Sequence, residues 1–185
     1  MNRSQTHRRL MHGNWHYALP AVLLHWLLAL SIVLMAALGW YMVSIEDTPG
    51  SSWFFDLHKS IGLTLLGLVL LRWLWRIGHR PGPLPASVPV LKARIASLTH
   101  VLLYLCLFLM PLSGALGAAF SKHGLAFFGH PLPRLVAPDH AMSERLFGLH
   151  GVVLWVLIAL LALHVLAALK HLLIDKDGVF QRMWF

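Results

Sequence analysis

Three stretches of this chain carry no Lys, Arg, Asp or Glu for long enough to cross a lipid bilayer. They lie between Arg9 and Glu46, between Arg94 and Lys122, and between Arg145 and Lys170. Each exceeds the roughly 20 residues that a bilayer core needs at about 1.5 Å per helical residue. The chain is 58% hydrophobic and 12% charged, where an ordinary soluble domain carries about 25% charged residues. So little charge cannot cover a water-facing surface. A soluble enzyme, a disordered tail and a disulfide scaffold are excluded, the last because Cys106 is the sole cysteine.

A fourth span is less direct. Lys59 and Arg72 leave too short an uncharged run between them. Aromatic residues flank it, with Trp53, Phe54 and Phe55 at one end and Trp73 and Trp75 at the other. Such belts mark membrane interfaces, and Arg72 can snorkel from near a helix end. The expected architecture is therefore all-α, an integral membrane four-helix bundle in one domain over residues 1–185. Its spans fall at approximately 19–43, 53–76, 95–118 and 146–170. The first run exceeds the 7–15 residues of a secretory signal core, so it reads as a retained helix.

Net charge is +8, and its distribution is topological. Arg3, Arg8, Arg9, Arg72, Arg76, Arg80, Lys92, Arg94, Lys170, Lys176 and Arg182 fall on the side of the termini. Only Lys59, Lys122, Arg134 and Arg145 fall opposite, together with Glu46, Asp47, Asp56, Asp139 and Glu144. Cytoplasmic loops hold the Lys/Arg excess, so both termini are expected in the cytoplasm. The lipid bilayer is the partner, and nucleic acid is not. Arg80-Pro81-Gly82-Pro83-Leu84-Pro85 makes a stiff non-helical inner loop, and Phe120 to Ser143 a longer outer one.

Thirteen histidines are the compositional anomaly. His7, His12, His16, His79, His123, His130 and His140 lie in loops or tails, where solvated rings explain them. His25, His58, His100, His150, His164 and His171 lie within or at the ends of spans, where an ionisable residue marks function by default. Helix rise puts His25, His100 and His164 about 9 Å deep from the inner face. It puts His58 and His150 about 7–8 Å deep from the outer face. His150 and His164 are separated by about 1400° of helix, roughly 40° short of four full turns, and by about 21 Å along the axis. Both rings therefore leave one face of one helix at two depths.

Neutral imidazoles facing each other across a bundle suit haem iron, and two axial histidines favour electron transfer over oxygen binding. Zinc usually takes three or four close ligands, and neither layer has a membrane cysteine or carboxylate beside its histidines. Gly39 and Gly114 share faces with His25 and His100 at the outer layer. They leave clearance for a flat macrocycle or for close helix packing. Arg72, on the face of His58, is placed for a haem propionate or for snorkelling. Spacing alone leaves open which two of His25, His100 and His164 bind iron.

These residues resemble the bacterial cytochrome b561 family, small four-helix dihaem proteins of the inner membrane. The resemblance rests on Leu24-His25-Trp26, on Leu57-His58-Lys59-Ser60-Ile61-Gly62 and on the Arg80–Pro85 loop. It continues through His100 with Tyr104, the His150–His164 spacing, Leu169-Lys170-His171 and Ile174-Asp175-Lys176-Asp177. It implies two haem b groups, one on His25 and His164 and one on His58 and His150. It also implies a quinone site at His100 and His171. Some members oxidise superoxide at the outer face and reduce ubiquinone at the inner face, so an oxidoreductase of that kind is the first expectation. A periplasmic redox protein as donor, or a dihaem anchor serving a partner dehydrogenase or hydrogenase, is the second. A histidine-relay transporter for metal or protons is the third.

Overall fold

In the computed structural model, which describes residues 16–79, 82 and 89–185, four long helices dominate. They are α1 (Leu19–Ser44), α2 (Ser51–Gly78), α3 (Val90–Phe120) and α4 (His140–Lys170). All four are long and apolar enough to cross a membrane. Arg3, His7, Arg8, Arg9 and His12, and within the inner loop Arg80, Pro81, Pro83, Leu84 and Pro85, lie outside the described residues.

The helices run past the apolar windows at several ends, because a helix in lipid closes its own backbone hydrogen bonds and continues into the interface until a cap ends it. Pro20 stands in the first turn of α1, where its missing N–H costs nothing. Asp139 caps α4 by accepting a hydrogen bond from the Met142 N–H at 3.0 Å. That cap starts α4 at His140, inside the segment expected as outer loop. The rest of that segment is not featureless either. Ala126–Phe127 and His130–Pro131 form a two-stranded hairpin.

Phe128 and Gly129 both have positive φ, 45° and 83°, the signature of a type I′ hairpin turn. A left-handed Phe costs about 1–2 kcal/mol, and the turn is held by a specific contact. The Phe128 N–H donates to Ser60 Oγ at 2.9 Å, while that hydroxyl donates to the Asp56 carbonyl at 2.6 Å. Ser60 is completely buried. Replacing it with alanine leaves the Phe128 N–H without its partner. The expected cost is about 1–3 kcal/mol, read as a lowered Tm and faster protease cleavage between residues 121 and 139.

The tightest helix pair is α3 with α4. A Cβ on Gly117 would come within 2.8 Å of the Phe147 ring, and Ser143 Oγ donates to the Gly117 carbonyl at 2.8 Å. Small residues let membrane helices approach in this way. Farther along the same seam, Leu103 and Cys106 pack on Val153 and Leu157, with Ile32, Leu107 and Met110 around them. Facing outward, residues such as Trp155 and Leu166 are exposed, which is the stable arrangement in lipid.

Beyond α4 the chain makes a π-helical turn (His171–Asp175) and a 3₁₀ turn (Phe180–Met183) that fold back on the start of α1. Tyr17 N–H donates to the Arg182 carbonyl at 3.1 Å, and Trp26 Nε1 to the Met183 carbonyl at 2.9 Å. Both described ends of the chain thus meet at one end of the bundle. The hairpin, on the α3–α4 connection, stands at the opposite end.

Candidate functional site

Helix α4 carries two half-buried histidine rings, and the apolar residues Val153, Leu157, Leu160 and Leu161 lie between them. Residues 150, 153, 157, 161 and 164 recur at three- and four-residue steps, so they share one helix face. The consequence is two histidine layers separated by an apolar plug.

At the hairpin end, His58 of α2 faces His150 of α4. Their ring centres are 6.2 Å apart and their planes 74° from parallel. His150 Nδ1 lies 2.8 Å from the Met110 carbonyl. A carbonyl only accepts, so Nδ1 carries the proton and Nε2 is left with a free lone pair. Metal-binding histidines are usually oriented this way, through the other ring nitrogen to a carbonyl or carboxylate. His58 Nδ1 is buried with no hydrogen-bond partner. An added Cβ on Gly39 would lie 3.3 Å from His58 Cε1, and one on Gly114 would lie 3.1 Å from two atoms of the His150 ring. The two glycines therefore border the histidine rings themselves.

At the termini end, His25 of α1 stands 6.1 Å from His164 of α4, ring centre to ring centre, at 67° between planes. His100 of α3 lies 5.5 Å from the same His164 ring. Arg72 of α2 completes the layer. Its Nη1 donates to the Ala21 carbonyl at 2.8 Å, and its Nη2 donates to His25 Nδ1 at 3.3 Å. Guanidinium cannot accept, so His25 is held in the tautomer opposite to that of His150.

His171 is held apart from these rings. Its Nδ1 lies 2.7 Å from Asp177 and 3.7 Å from Asp175, and Lys170 also pairs with Asp175. Among the described residues, no contact joins His171 to His100.

The pair distances bear on what the layers can hold. An imidazole nitrogen lies about 1.2 Å from its ring centre and bonds a metal at about 2 Å, so two rings on one ion stand roughly 6.3 Å apart, centre to centre. The His25–His164 and His58–His150 distances fit that span. The unpartnered His58 Nδ1 and the free Nε2 of His150 are donors in want of an acceptor site. A haem iron on the His58–His150 pair fits the residues present as they stand, and one on His25–His164 fits once Arg72 releases His25 Nδ1 and a ring nitrogen of His25 is freed.

Reading by residue type missed the Met110 carbonyl, because backbone atoms have no sequence signature. Pro111, inside α3 next to Met110, gives no signal for this contact, because the carbonyl that its missing N–H leaves unpaired is that of Leu107, four residues back. The Ser60–hairpin contact and the folded-back C-terminal segment had no signal either.

Comparison with known proteins places the chain in a family. The model of the family described as prokaryotic cytochrome b561 matches residues 16–185. Cytochrome b561 homolog 2 of Escherichia coli (strain K12) is 36% identical over 172 residues, covering 90% of this chain and 90% of that protein. Cytochrome b561 homolog 1 of the same organism is 26% identical over 171 residues, covering 88% of this chain and 93% of that protein. The probable superoxide oxidase CybB of Yersinia pestis is 25% identical over 173 residues, covering 90% of this chain and 94% of that protein.

Proposed function

The chain belongs to the prokaryotic cytochrome b561 family, and from that premise we propose that it conducts electrons between an outer one-electron donor and ubiquinone through two haem b groups. It is a multi-pass protein of the bacterial inner membrane, of a family that binds haem b and transfers electrons across that membrane. In this reading His58 and His150 hold the haem at the hairpin end, and His25 and His164 hold the other. Both termini face the cytoplasm, following the Lys/Arg excess at their end. The observation that carries the reading is the pair of ring separations, 6.2 and 6.1 Å, on rings spaced along α4.

A haem held by these histidine pairs would supply reversible one-electron transfer. The chain's own residues do the rest. The Met110 carbonyl fixes the His150 tautomer and aims its Nε2 into the bundle. Leu103, Cys106, Val153 and Leu157 exclude water between the layers. Arg72 stands beside His25 as the cation for a propionate, exchanging its His25 contact for that carboxylate. Gly39 and Gly114 keep the histidine rings close to neighbouring backbone and clear space beside them. His171, anchored at Nδ1 by Asp177, presents Nε2 toward the quinone; with the ring protonated, Nε2–H donates to the quinone carbonyl and supplies its proton. His100, one ring away from His164, is the second quinone-facing histidine.

Superoxide is the proposed donor, in line with the name of the Yersinia pestis relative. Lys59, Lys122, Arg134 and Arg145 would steer a small anion at the hairpin end. Glu46, Asp47, Asp56, Asp139 and Glu144 share that end, and Asp56 already neutralises Lys59 at 2.6 Å. The steering field is therefore local, and rate constants should depend only weakly on salt.

Purified protein is expected to show a b-type reduced-minus-oxidised spectrum with two haems per chain. With a superoxide source it should then reduce ubiquinone alone. A haem content well below two removes the dihaem reading. Reduction that requires a co-purifying redox subunit replaces the superoxide reading with the anchor for a partner dehydrogenase or hydrogenase. Zinc in place of iron would make the chain a histidine-relay transporter.

A further inference from the structure

A cavity of about 680 Å³ opens between α2 and α3 toward the lipid, lined by Trp73, Arg76 and Ile77 on one wall and Val101, Tyr104, Leu105 and Phe108 on the other. Ile77, Val101 and Leu105 are more than half exposed, so the mouth faces the bilayer and not the bundle axis. Trp73 and Phe108 meet edge to face at 6.2 Å and close the cleft toward the membrane centre. Its upper walls are wholly apolar.

Its polar groups are donors without acceptors. Arg76 lies with its guanidinium carbon 6.0 Å from the Tyr104 ring centre. The Tyr104 hydroxyl, which stands beside the Arg72 guanidinium, and the Trp75 Nε1–H of the adjoining niche are buried with no acceptor for their protons. Tyr104, Trp75, Arg72 and Arg76 also line a small niche that adjoins the cleft. Among the described residues no carboxylate pairs with Arg76. At this end of the bundle Asp175 is taken by Lys92 and Lys170, and Asp177 by His171. A buried donor left unpaired costs about 1–3 kcal/mol, so this cluster calls for an acceptor from outside the chain.

From this we infer that the α2–α3 cleft is a binding site for an anionic phospholipid, its phosphate held by Arg76 and Tyr104 and an acyl chain laid along Trp73, Leu105 and Phe108. The charge decides the class. A phosphate satisfies several donors at once and neutralises the guanidinium, and charge-assisted bonds are roughly twice as strong as neutral ones. A quinone carbonyl would leave the cation uncompensated. Basic pockets between membrane helices on the cytoplasmic side bind anionic headgroups in this manner. Tyr104 is one helical turn from His100.

The test uses the haem-loaded protein, stripped of lipid in neutral detergent. Native mass spectrometry then follows retention of added phosphatidylglycerol against phosphatidylcholine of the same acyl composition. Wild-type protein is expected to keep phosphatidylglycerol preferentially. Arg76→Gln should reduce that preference about five- to tenfold, and Tyr104→Phe should weaken it by a smaller factor. Leu105→Trp fills the cleft with the cation intact and should lower phosphatidylglycerol retention at unchanged haem content. If Arg76→Gln does not fold, Leu105→Trp decides. Equal retention of the two lipids by wild type overturns the inference. So does an Arg76→Gln protein that loses haem and keeps its lipid preference, which would give the guanidinium to a cofactor carboxylate. Retention of ubiquinone in place of phosphatidylglycerol, insensitive to Arg76, overturns it as well.

Discussion

Alanine in place of His164 is expected to cut the haem content of the purified protein from two per chain to about one, while alanine in place of His100 leaves it at two. The His164 ring has two imidazole neighbours, His25 at 6.1 Å and His100 at 5.5 Å. Distance alone does not choose between them. The proposed assignment gives iron to His25 and His164 and leaves His100 to the quinone. The comparison is controlled for side-chain size, because both substitutions remove one half-buried imidazole from the same layer. His150→Ala should mirror His164→Ala, sparing the layer of His25. The readouts are haem stoichiometry and the reduced-minus-oxidised spectrum. Full pigment in His164→Ala would remove the two-layer reading. Pigment loss in His100→Ala with retention in a His25→Ala protein would exchange the roles of those two residues.

The second large effect is expected from Gly114→Val. A single Cβ at this position already lies 3.1 Å from both Nδ1 and Cε1 of His150, and valine adds two more carbons. The ring cannot yield without losing its 2.8 Å bond to the Met110 carbonyl and the aim of its Nε2. Overpacking of this kind costs about 1–3 kcal/mol, against a typical stability of about 5–15 kcal/mol. The protein should therefore fold and insert, yet hold close to one haem, with the hairpin-end signal missing. Gly39→Val should be milder, since its Cβ would meet one His58 atom at 3.3 Å, and that ring has no bond at Nδ1 to lose. Gly67, where nothing lies within 4 Å of an added Cβ, supplies the control for adding bulk to a membrane helix. Unchanged haem content in Gly114→Val would show that the His150 position tolerates displacement and does not set ligation.

What could be read in advance, and what could not, divides along a physical line. The runs between Arg9 and Glu46, Arg94 and Lys122, and Arg145 and Lys170 announce helices because exclusion of charge from lipid acts on each segment separately. The α2 segment needed its Trp and Phe flanks, since Lys59 and Arg72 interrupt it. Asp139 as a cap and the hairpin turn at Phe128–Gly129 emerge only in the folded chain. Three prolines made the outer loop look irregular, and a left-handed Phe is a rare choice for a type I′ turn. The fit of that turn depends on Ser60, far away in the chain.

The histidines show the same division. Their depths follow from helix rise, a property of one helix at a time, so a two-level arrangement was legible from positions 25, 58, 100, 150 and 164. The neighbours of each ring were not legible. In a soluble helix the polar face tells which way the apolar face points. Here the faces toward lipid are as apolar as those toward the bundle, so periodicity carries little information about rotation.

From residue order alone came four helices able to span and the expected levels of the rings, because each follows from local transfer energy and a constant rise per residue; the starts of α3 and α4, at Val90 and His140, lie outside the apolar windows. Tertiary structure alone decided that His164 has both His25 and His100 within reach, that the Met110 carbonyl orients His150, and that Arg76 and Tyr104 converge on one cleft without an acceptor. Those facts depend on how helices turn and cross against one another, and close packing across the bundle sets that, not any single segment.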